Sequence, residues 1–373
     1  MQTRESRERG LRVGAPPLPS HLIRVMPAKG GPGMDGMSSE LGSLAVIGGG
    51  IIGLAVARRA AQEGWSVRVH RTAEKGASWV AGGMLAPHSE GWPGEERLLR
   101  LGLESLRLWR EGGFLDGLPP QVVTARESLV VAVDRADVAD LRTVADWLSA
   151  QGHPVVWESA ARDTEPLLAQ GIRHGFRAPT ELAVDNRAVL DALAAECERL
   201  GVRWAPPARD LSVDGDAVVI ANGIDAPALW PGLPVRPVKG EVLRLRWRRG
   251  CMPVPQRVIR ARVHGRQVYL VPRADGVVVG ATQYEHGRDT APVVSGVRDL
   301  LDDACAVLPA LGEYELAESA AGLRPMTPDN LPLVHRLDER TLVAGGHGRS
   351  GFLLAPWTAE QIVSQLAPVG ARS

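Results

Sequence analysis

The run Leu44-Ala45-Val46-Ile47-Gly48-Gly49-Gly50-Ile51-Ile52-Gly53 decides the architecture. Its first four residues are apolar, as in a strand buried on both faces, and its glycines follow the pattern G-x-G-x-x-G. LAVARRAAQEG, ending at Gly64, then carries apolar residues at helical spacing, and WSVRVH, ending at His70, is a second alternating run. Strand, glycine turn, helix and strand within about 30 residues make a βαβ unit, which requires a parallel sheet. Gly48 permits the tight turn, and Gly50 lets a pyrophosphate approach the backbone at a helix N-terminus. Gly53 lets helix and sheet pack closely.

One part of this dinucleotide fingerprint is missing. The end of the second strand should carry an acidic residue for the ribose hydroxyls, but Arg71 stands there, eighteen residues after Gly53 and preceded by His70. An arginine at that point suits a 2′-phosphate, hence NADP. It equally suits a hydrogen bond to the ribose or a pairing with the pyrophosphate of FAD. The loop alone leaves nicotinamide and flavin both open.

Working outward, 373 residues are enough for two cooperating lobes with sizeable cores. Lys+Arg and Asp+Glu balance at 43 each, so net charge offers no argument for nucleic acid or an anionic membrane. No apolar run approaches the ~18 residues of a membrane span. Cys197, Cys251 and Cys305 are far apart and have no CxxC neighbour, which excludes a disulfide scaffold and a cysteine zinc site and fits a reducing cytoplasm. Residues 1–40 mix charge, Gly and Pro without period and are expected to be a disordered extension, or sequence upstream of the true start. Farther on, RLLRLGLESLRLW, VADLRTVADWLSAQG and NRAVLDALAAECERLG read as helices, the last capped by Asp185 or Asn186. EVLRLRW, QVYLVPR and GVVVGAT read as antiparallel strands, with Arg244–Arg249 on a solvated face.

Two further strands end in glycine: Val218–Gly223, and Leu342–Gly346 followed by a helical pattern from Ser350 and Gly351 through Gln361. A chain that begins and ends with such elements can wrap an extended cofactor from both sides. Negative charge develops at the N1–C2=O edge of a flavin that accepts a hydride, and the free N–H groups of a helix N-terminus stabilise it. This favours flavin over NADP.

The segments SWVAGGMLAP (78–87), VKGE (238–241), VYLVPR (268–273), VVGAT (278–282), AGLRPMTPDNLPLV (321–334) and GHGRSGFLLAP (346–356) occur in order and with matching spacing from about Leu44 to Leu366. In them the chain resembles the D-amino-acid oxidase superfamily, and within it the glycine oxidases of the thiamine pathway. The resemblance implies an α/β (α+β) fold, a discontinuous Rossmann-like FAD-binding domain (41–91, 160–236 and 320–367) with an inserted mixed or antiparallel-sheet substrate domain (92–159 and 237–319). It implies FAD held noncovalently, since no His or Cys stands in the Ser78–Met84 stretch. On this basis the FAD site comprises Gly48, Gly50, Ile51, Ile52 and Gly53 at the pyrophosphate, Arg71 and Thr72 at the adenosine, and Ala77 and Ser78 beside the pyrophosphate and ribityl chain. Gly82, Gly83 and Met84 line the isoalloxazine, Ala208 reaches the adenine, and His347, Gly348, Arg349, Ser350, Gly351, Phe352 and Leu353 form the loop beside N1–C2=O.

A substrate amino acid needs its carboxylate paired, and arginine's planar fork suits that task. The resemblance implies Arg324 for this role, Tyr269 as its helper and Arg349 at the substrate site, with Gln283 facing the substrate. It implies hydride transfer from the α-carbon of glycine, sarcosine or a small D-amino acid to the flavin. The products are an imine, then glyoxylate and ammonia, and hydrogen peroxide from oxygen, with the imine serving thiazole synthesis. No side chain is singled out as a catalytic acid or base. A cytoplasmic homotetramer is also implied, without membrane, nucleic-acid or metal partners. An FAD dehydrogenase on D-amino acids that passes electrons to another carrier shares every one of these residues.

Overall fold

A computed structural model of the protein describes residues 41–366, so the expected N-terminal extension lies outside the described residues. The chain enters through β1 (Ser43–Ile47), α1 (Ile51–Gln62) and β2 (Ser66–His70), then α2 (Ala77–Val80), β3 (Met84–Leu85) and the long α3 (Glu96–Arg110). Next come β4 (Val123–Ala125), β5 (Ser128–Ala132), α4 (Arg135–Ala150), β6 (Val156–Glu158), α5 (Ala161–Thr164), β7 (Gly175–Ala178) and β8 (Leu182–Val184). They are followed by α6 (Asn186–Arg199), β9 (Arg203–Ala205), β10 (Ala217–Ile220), α7 (Ala226–Leu229), β11 (Arg236–Arg246), β12 (Val258–Val263), β13 (Arg266–Arg273) and β14 (Gly276–Gly280). The chain closes with α8 (Val294–Val307), β15 (Glu315–Met326), β16 (Leu333–Arg336), β17 (Thr341–Gly345) and α9 (Gly351–Ser364). No helix among the described residues is long and apolar enough to cross a membrane.

Three sheets result. The first runs β16-β17-β10-β1-β2-β9, parallel except for β16 at its edge. The glycine-ended strands β1, β10 and β17 are therefore neighbours, although they lie far apart in sequence. The second has eight strands in the order β15-β11-β14-β13-β12-β5-β7-β6, antiparallel except where β12 runs parallel to β5. β7 pairs in this sheet, so the eight-stranded sheet takes in residues up to Ala178, inside the stretch from 160 that the resemblance implied for the FAD-binding domain. A small antiparallel sheet, β3-β8-β4, is the third.

Local chemistry explains the helix ends. The Asp185 carboxylate accepts the amides of Arg187 and Ala188 at 2.9 and 3.1 Å, so Asp185 is the cap of α6, and Asn186 turns its amide inward. Gly64 (φ +99) stops α1 in a left-handed turn that returns the Trp65 amide to the Ala60 carbonyl at 3.1 Å. Helix α9 continues through Pro356, which has no N–H for the Phe352 carbonyl. Helix α3 fills that gap. The Trp109 indole donates to the Phe352 and Leu353 carbonyls, both at 3.1 Å. The Ser105 hydroxyl donates to Leu353 O at 2.6 Å and accepts the Trp357 amide at 3.3 Å. Trp109→Phe removes the donor and leaves a buried carbonyl unpaired, so the urea midpoint should fall by the equivalent of about 1–3 kcal/mol.

Alternation positions the site. On the eight-stranded sheet, Leu243, Leu245, Ile259, Ala261, Leu270, Val277 and Val279 share one core cluster with Leu300, Ala304 and Val307 of α8. The intervening residues Val242, Val258, Val271 and Val278 point to the opposite face, where they meet Val80 of α2, Ala125 and Ala183, with Met84 and Tyr269 packed against them. Both faces are thus covered. For the same reason Arg244 is not on a solvated face as its pattern suggested. Its side chain is 18% exposed and donates to Asn186 Oδ1 at 3.0 Å.

Candidate active site

At the C-terminal end of β1 the Gly48 amide donates to the His70 carbonyl at 2.8 Å, closing the turn against β2. Gly48 has φ +129, and a Cβ there would collide with the Ala221 carbonyl at the end of β10. A Cβ on Gly53 would collide with the Gly48 carbonyl, so α1 starts in direct contact with the turn. The amide of Ile51 donates to Ser78 Oγ at 3.1 Å, joining the glycine loop to α2. Ile51 and Ile52 are buried. Ala77 lies against Gly322 of β15 on the far side of the same turn of helix.

The adenosine end is built differently from the usual acidic pattern. The Arg71 guanidinium lies over the Trp204 ring, 3.9 Å from its centroid, and its aliphatic stem covers Gly49. Thr72 Oγ1 accepts the Glu74 amide at 3.1 Å. Ala208 packs with Ala45, Ile47 and Val218 beneath the sheet.

On the other side, a Cβ on Gly82 would stand 2.9 Å from the Tyr269 ring. The Gly82 carbonyl is held by the buried Arg273 Nη2 at 2.9 Å, and burial lowers the pKa of Arg273 to about 10. Gly83 lies tight against the Val184 carbonyl, and Met84 pairs with Ala183. The Gly346–Leu353 loop follows β17. A Cβ on Gly351, the first residue of α9, would lie 3.9 Å from Ile51 Cγ2, so the N-terminal ends of α1 and α9 meet. Ser350, Phe352 and Leu353 are buried, the last two within the core cluster that also holds Ile51, Leu106 and Trp109. Gly348 lies close to Met326 Sδ.

His347 is buried, with Nε2 2.8 Å from Thr358 Oγ1, and burial pushes its pKa down to about 3. The imidazole is neutral at physiological pH, so it adds no charge to the helix amides at the start of α9. A histidine depressed in the folded state binds its proton more readily when unfolded. Stability is therefore lost as pH falls from the unfolded value of 6.5 toward about 3. His88, also buried and lowered to about 4, acts in the same direction. His347→Asn should flatten the acid limb of a urea-midpoint profile between pH 7 and 4.5 by on the order of 2 kcal/mol.

Tyr269 and Arg324 share the inner face of the eight-stranded sheet. Tyr269 lies over Gly280 of the adjacent strand, and the Arg324 guanidinium lies over Gly240, where any side chain would displace it. Arg324 Nη1 donates to the Thr282 carbonyl at 3.1 Å, and among the described residues no carboxylate pairs with it. Burial raises the Tyr269 pKa against the pull of Arg324 and Arg260, so the phenol stays protonated and able to donate. Gln283, just past Thr282, is exposed.

Arg349 is engaged differently from Arg324. Its Nε lies 3.2 Å from Glu90 and its Nη2 2.7 Å from Glu95, and together these residues line a small cleft with Leu98, Leu99 and Leu353. Glu90, Glu95 and Arg260 were not singled out in the sequence. Arg260 was the readable one, because Val263-His264-Gly265-Arg266 is a two-residue hairpin turn. Counting back from it pairs Arg260 with Tyr269. Buried Glu181 fixes the Glu90 loop by accepting the amides of His88 and Ser89, each at 2.8 Å, and the Ser89 hydroxyl at 2.7 Å.

These features fit FAD. The strand ends at β1 and β10 leave no room for a Cβ at Gly48, buried Asn222 Oδ1 at the end of β10 has no protein partner, and two helix N-termini converge where negative charge would be stabilised.

Residues 43–365 match the DAO family, described as FAD dependent oxidoreductase. The chain is 36% identical to ThiO of Rhizobium etli, named for thiamine biosynthesis, over 86% of this chain and 95% of that protein. It is 34% identical to the bifunctional protein ThiO/ThiG of Synechocystis over 85% of this chain, and it spans about half (50%) of that relative's length. Among solved structures, glycine oxidase from Geobacillus kaustophilus superposes with a TM-score of 0.76 at 28% identity, covering 88% of this chain and 96% of that one.

Proposed function

The chain belongs to the DAO family of FAD-dependent oxidoreductases, and from that premise we propose that it is an amino-acid oxidase of the glycine oxidase type. The reaction is oxidative deamination of glycine, with sarcosine and small D-amino acids as further substrates. It gives an imine that hydrolyses to glyoxylate and ammonia, and hydrogen peroxide from oxygen. The relatives named ThiO support a place for the imine in making the thiazole of thiamine. Relatives named glycine oxidase favour oxygen over a separate electron carrier.

One observation carries the proposal: Arg324, a guanidinium with no carboxylate partner among the described residues, stands beside Tyr269 on the sheet face turned to the Gly82–Met84 stretch. Bound FAD would supply the two-electron acceptor for the hydride that leaves the α-carbon. Arg324 would take the substrate carboxylate on its planar fork, and the neutral Tyr269 phenol would donate to the same group. Gly48, Gly50, Ile51, Ile52, Gly53 and Ser78 would hold the pyrophosphate side of FAD. Gly82, Gly83 and Met84, with the loop from His347 to Gly351, would hold the ring. Arg71 and Trp204 would offer the adenosine a flat cationic surface in place of a carboxylate. With the substrate carboxylate held by Arg324 and Tyr269, catalysis is mainly positioning.

The test is a visible spectrum before and after glycine is added without oxygen. A flavin band at about 450 nm that bleaches, and returns with peroxide when air enters, supports the proposal. A band that bleaches only with larger D-amino acids moves the substrate to that class. No band, even with added FAD, overturns the proposal.

A further inference from the structure

The reaction proposed above makes no use of Arg260 or Glu90, yet both stand beside its substrate residues. Arg260 is the cross-strand partner of Tyr269 in the β12–β13 ladder. Its neighbours Ile259 and Ala261 point to the outer core, so Arg260 projects from the inner face with Val258 and Tyr269. Its Nη1 donates to Glu90 Oε1 at 2.8 Å and reaches Met84 Sδ at 3.4 Å. The two side chains are only 12% and 17% exposed. The other oxygen of Glu90 faces Arg349 Nε at 3.2 Å, so one carboxylate is shared by two guanidiniums. Across Tyr269, Arg324 has none among the described residues.

We propose that Glu90 and Arg260 form the wall of the substrate pocket that sets which amino acids are admitted. Glu90 masks Arg260, and its negative charge turns away substrates carrying a second carboxylate. The wall is polar and nearly buried. An apolar side chain would have to displace a desolvated ion pair, and an acidic one would meet a like charge at close range. Hydrogen at the substituent position does neither. The inference rests on the glycine-oxidase reading, because it takes Arg324 and Tyr269 as the anchor of the α-carboxylate.

Removing the mask should expose the cation. In Glu90→Gln, where shape is kept and charge is lost, the affinity for D-aspartate relative to glycine should rise about tenfold or more. The readout is perturbation of the flavin absorbance, which needs no turnover. In Glu90→Gln with Arg260→Met the gain should disappear, since Arg260 is gone and Arg349 keeps Glu95 as its partner. Arg260→Gln alone leaves Glu90 with Arg349 as its one remaining cation and should shift the ratio toward glycine. This arm decides the matter even where Glu90→Gln does not fold. An unchanged ratio in Glu90→Gln, a gain that survives loss of Arg260, or a shift toward D-aspartate in Arg260→Gln overturns the proposal. Should the native protein fail to oxidise glycine while these shifts appear, the reaction is wrong and the selective wall stands.

Discussion

Arg324→Met is expected to lower kcat/KM for glycine about 10³-fold, because truncating one partner of a hydrogen-bonded charge pair costs about 2–5 kcal/mol and each 1.4 kcal/mol is tenfold. Methionine preserves much of the aliphatic stem and removes the guanidinium that lies over Gly240, away from the glycine loop, so the flavin should be retained. Arg324→Lys keeps the charge and loses the fork, and should recover about tenfold of the loss. The measurement is the glycine dependence of anaerobic flavin reduction. The weakened step should be substrate binding, seen as a higher glycine concentration at half-saturation. A variant that binds glycine as the native protein does would remove Arg324 from the carboxylate site and leave the charge unexplained.

Gly48→Ala should be the most damaging change on the cofactor side. The backbone there has φ +129, and a Cβ would run into the Ala221 carbonyl of the neighbouring strand. Backbone strain of about 1–3 kcal/mol adds to overpacking of about 1–3 kcal/mol. Relief requires β1 and β10 to part where the pyrophosphate must approach. The purified variant should lack the absorbance band of flavin and melt about 5–10 °C lower. Gly64→Ala is the matched control, since Gly64 has φ +99 but nothing within 4 Å of a Cβ. It shares the strain without the collision, and should lose some stability and keep its flavin. Full flavin occupancy in Gly48→Ala would show that the loop is not the cofactor's seat.

The parts of this protein legible in sequence were those whose physics is local. The βαβ unit announced itself through period and glycine spacing, and β10 and β17 through apolar runs ending in glycine. The caps at Asp185 and Gly64 needed only their neighbours. What escaped depends on what lies across a face. Alternation in EVLRLRW says that Arg244 points away from Leu243 and Leu245, but not that Asn186 of α6 waits there. The parallel pairing of β12 with β5 joins segments with no shared local signal. Glu90 reaches Arg260 only because the loop between β3 and α3 crosses the face of the eight-stranded sheet, a long-range packing result. The resemblance implied Arg349 at the substrate site, and only the folded chain brings Glu90 and Glu95 to it.

The strand order of the parallel sheet has a consequence for how the protein is made. β1, α1 and β2 leave the ribosome early, but β10, which covers the other edge of β1, follows only after the whole stretch to Ile220 has been synthesised. At about 5–20 residues per second, that leaves an apolar strand edge unpaired for on the order of ten seconds or more. β17 and α9 come later still. The nucleotide loop is thus synthesised long before the strands that complete it. A nascent chain halted before Thr341 exposes the edge of β10 to any other strand within reach, so slower or interrupted translation should appear as aggregation before it appears as loss of activity.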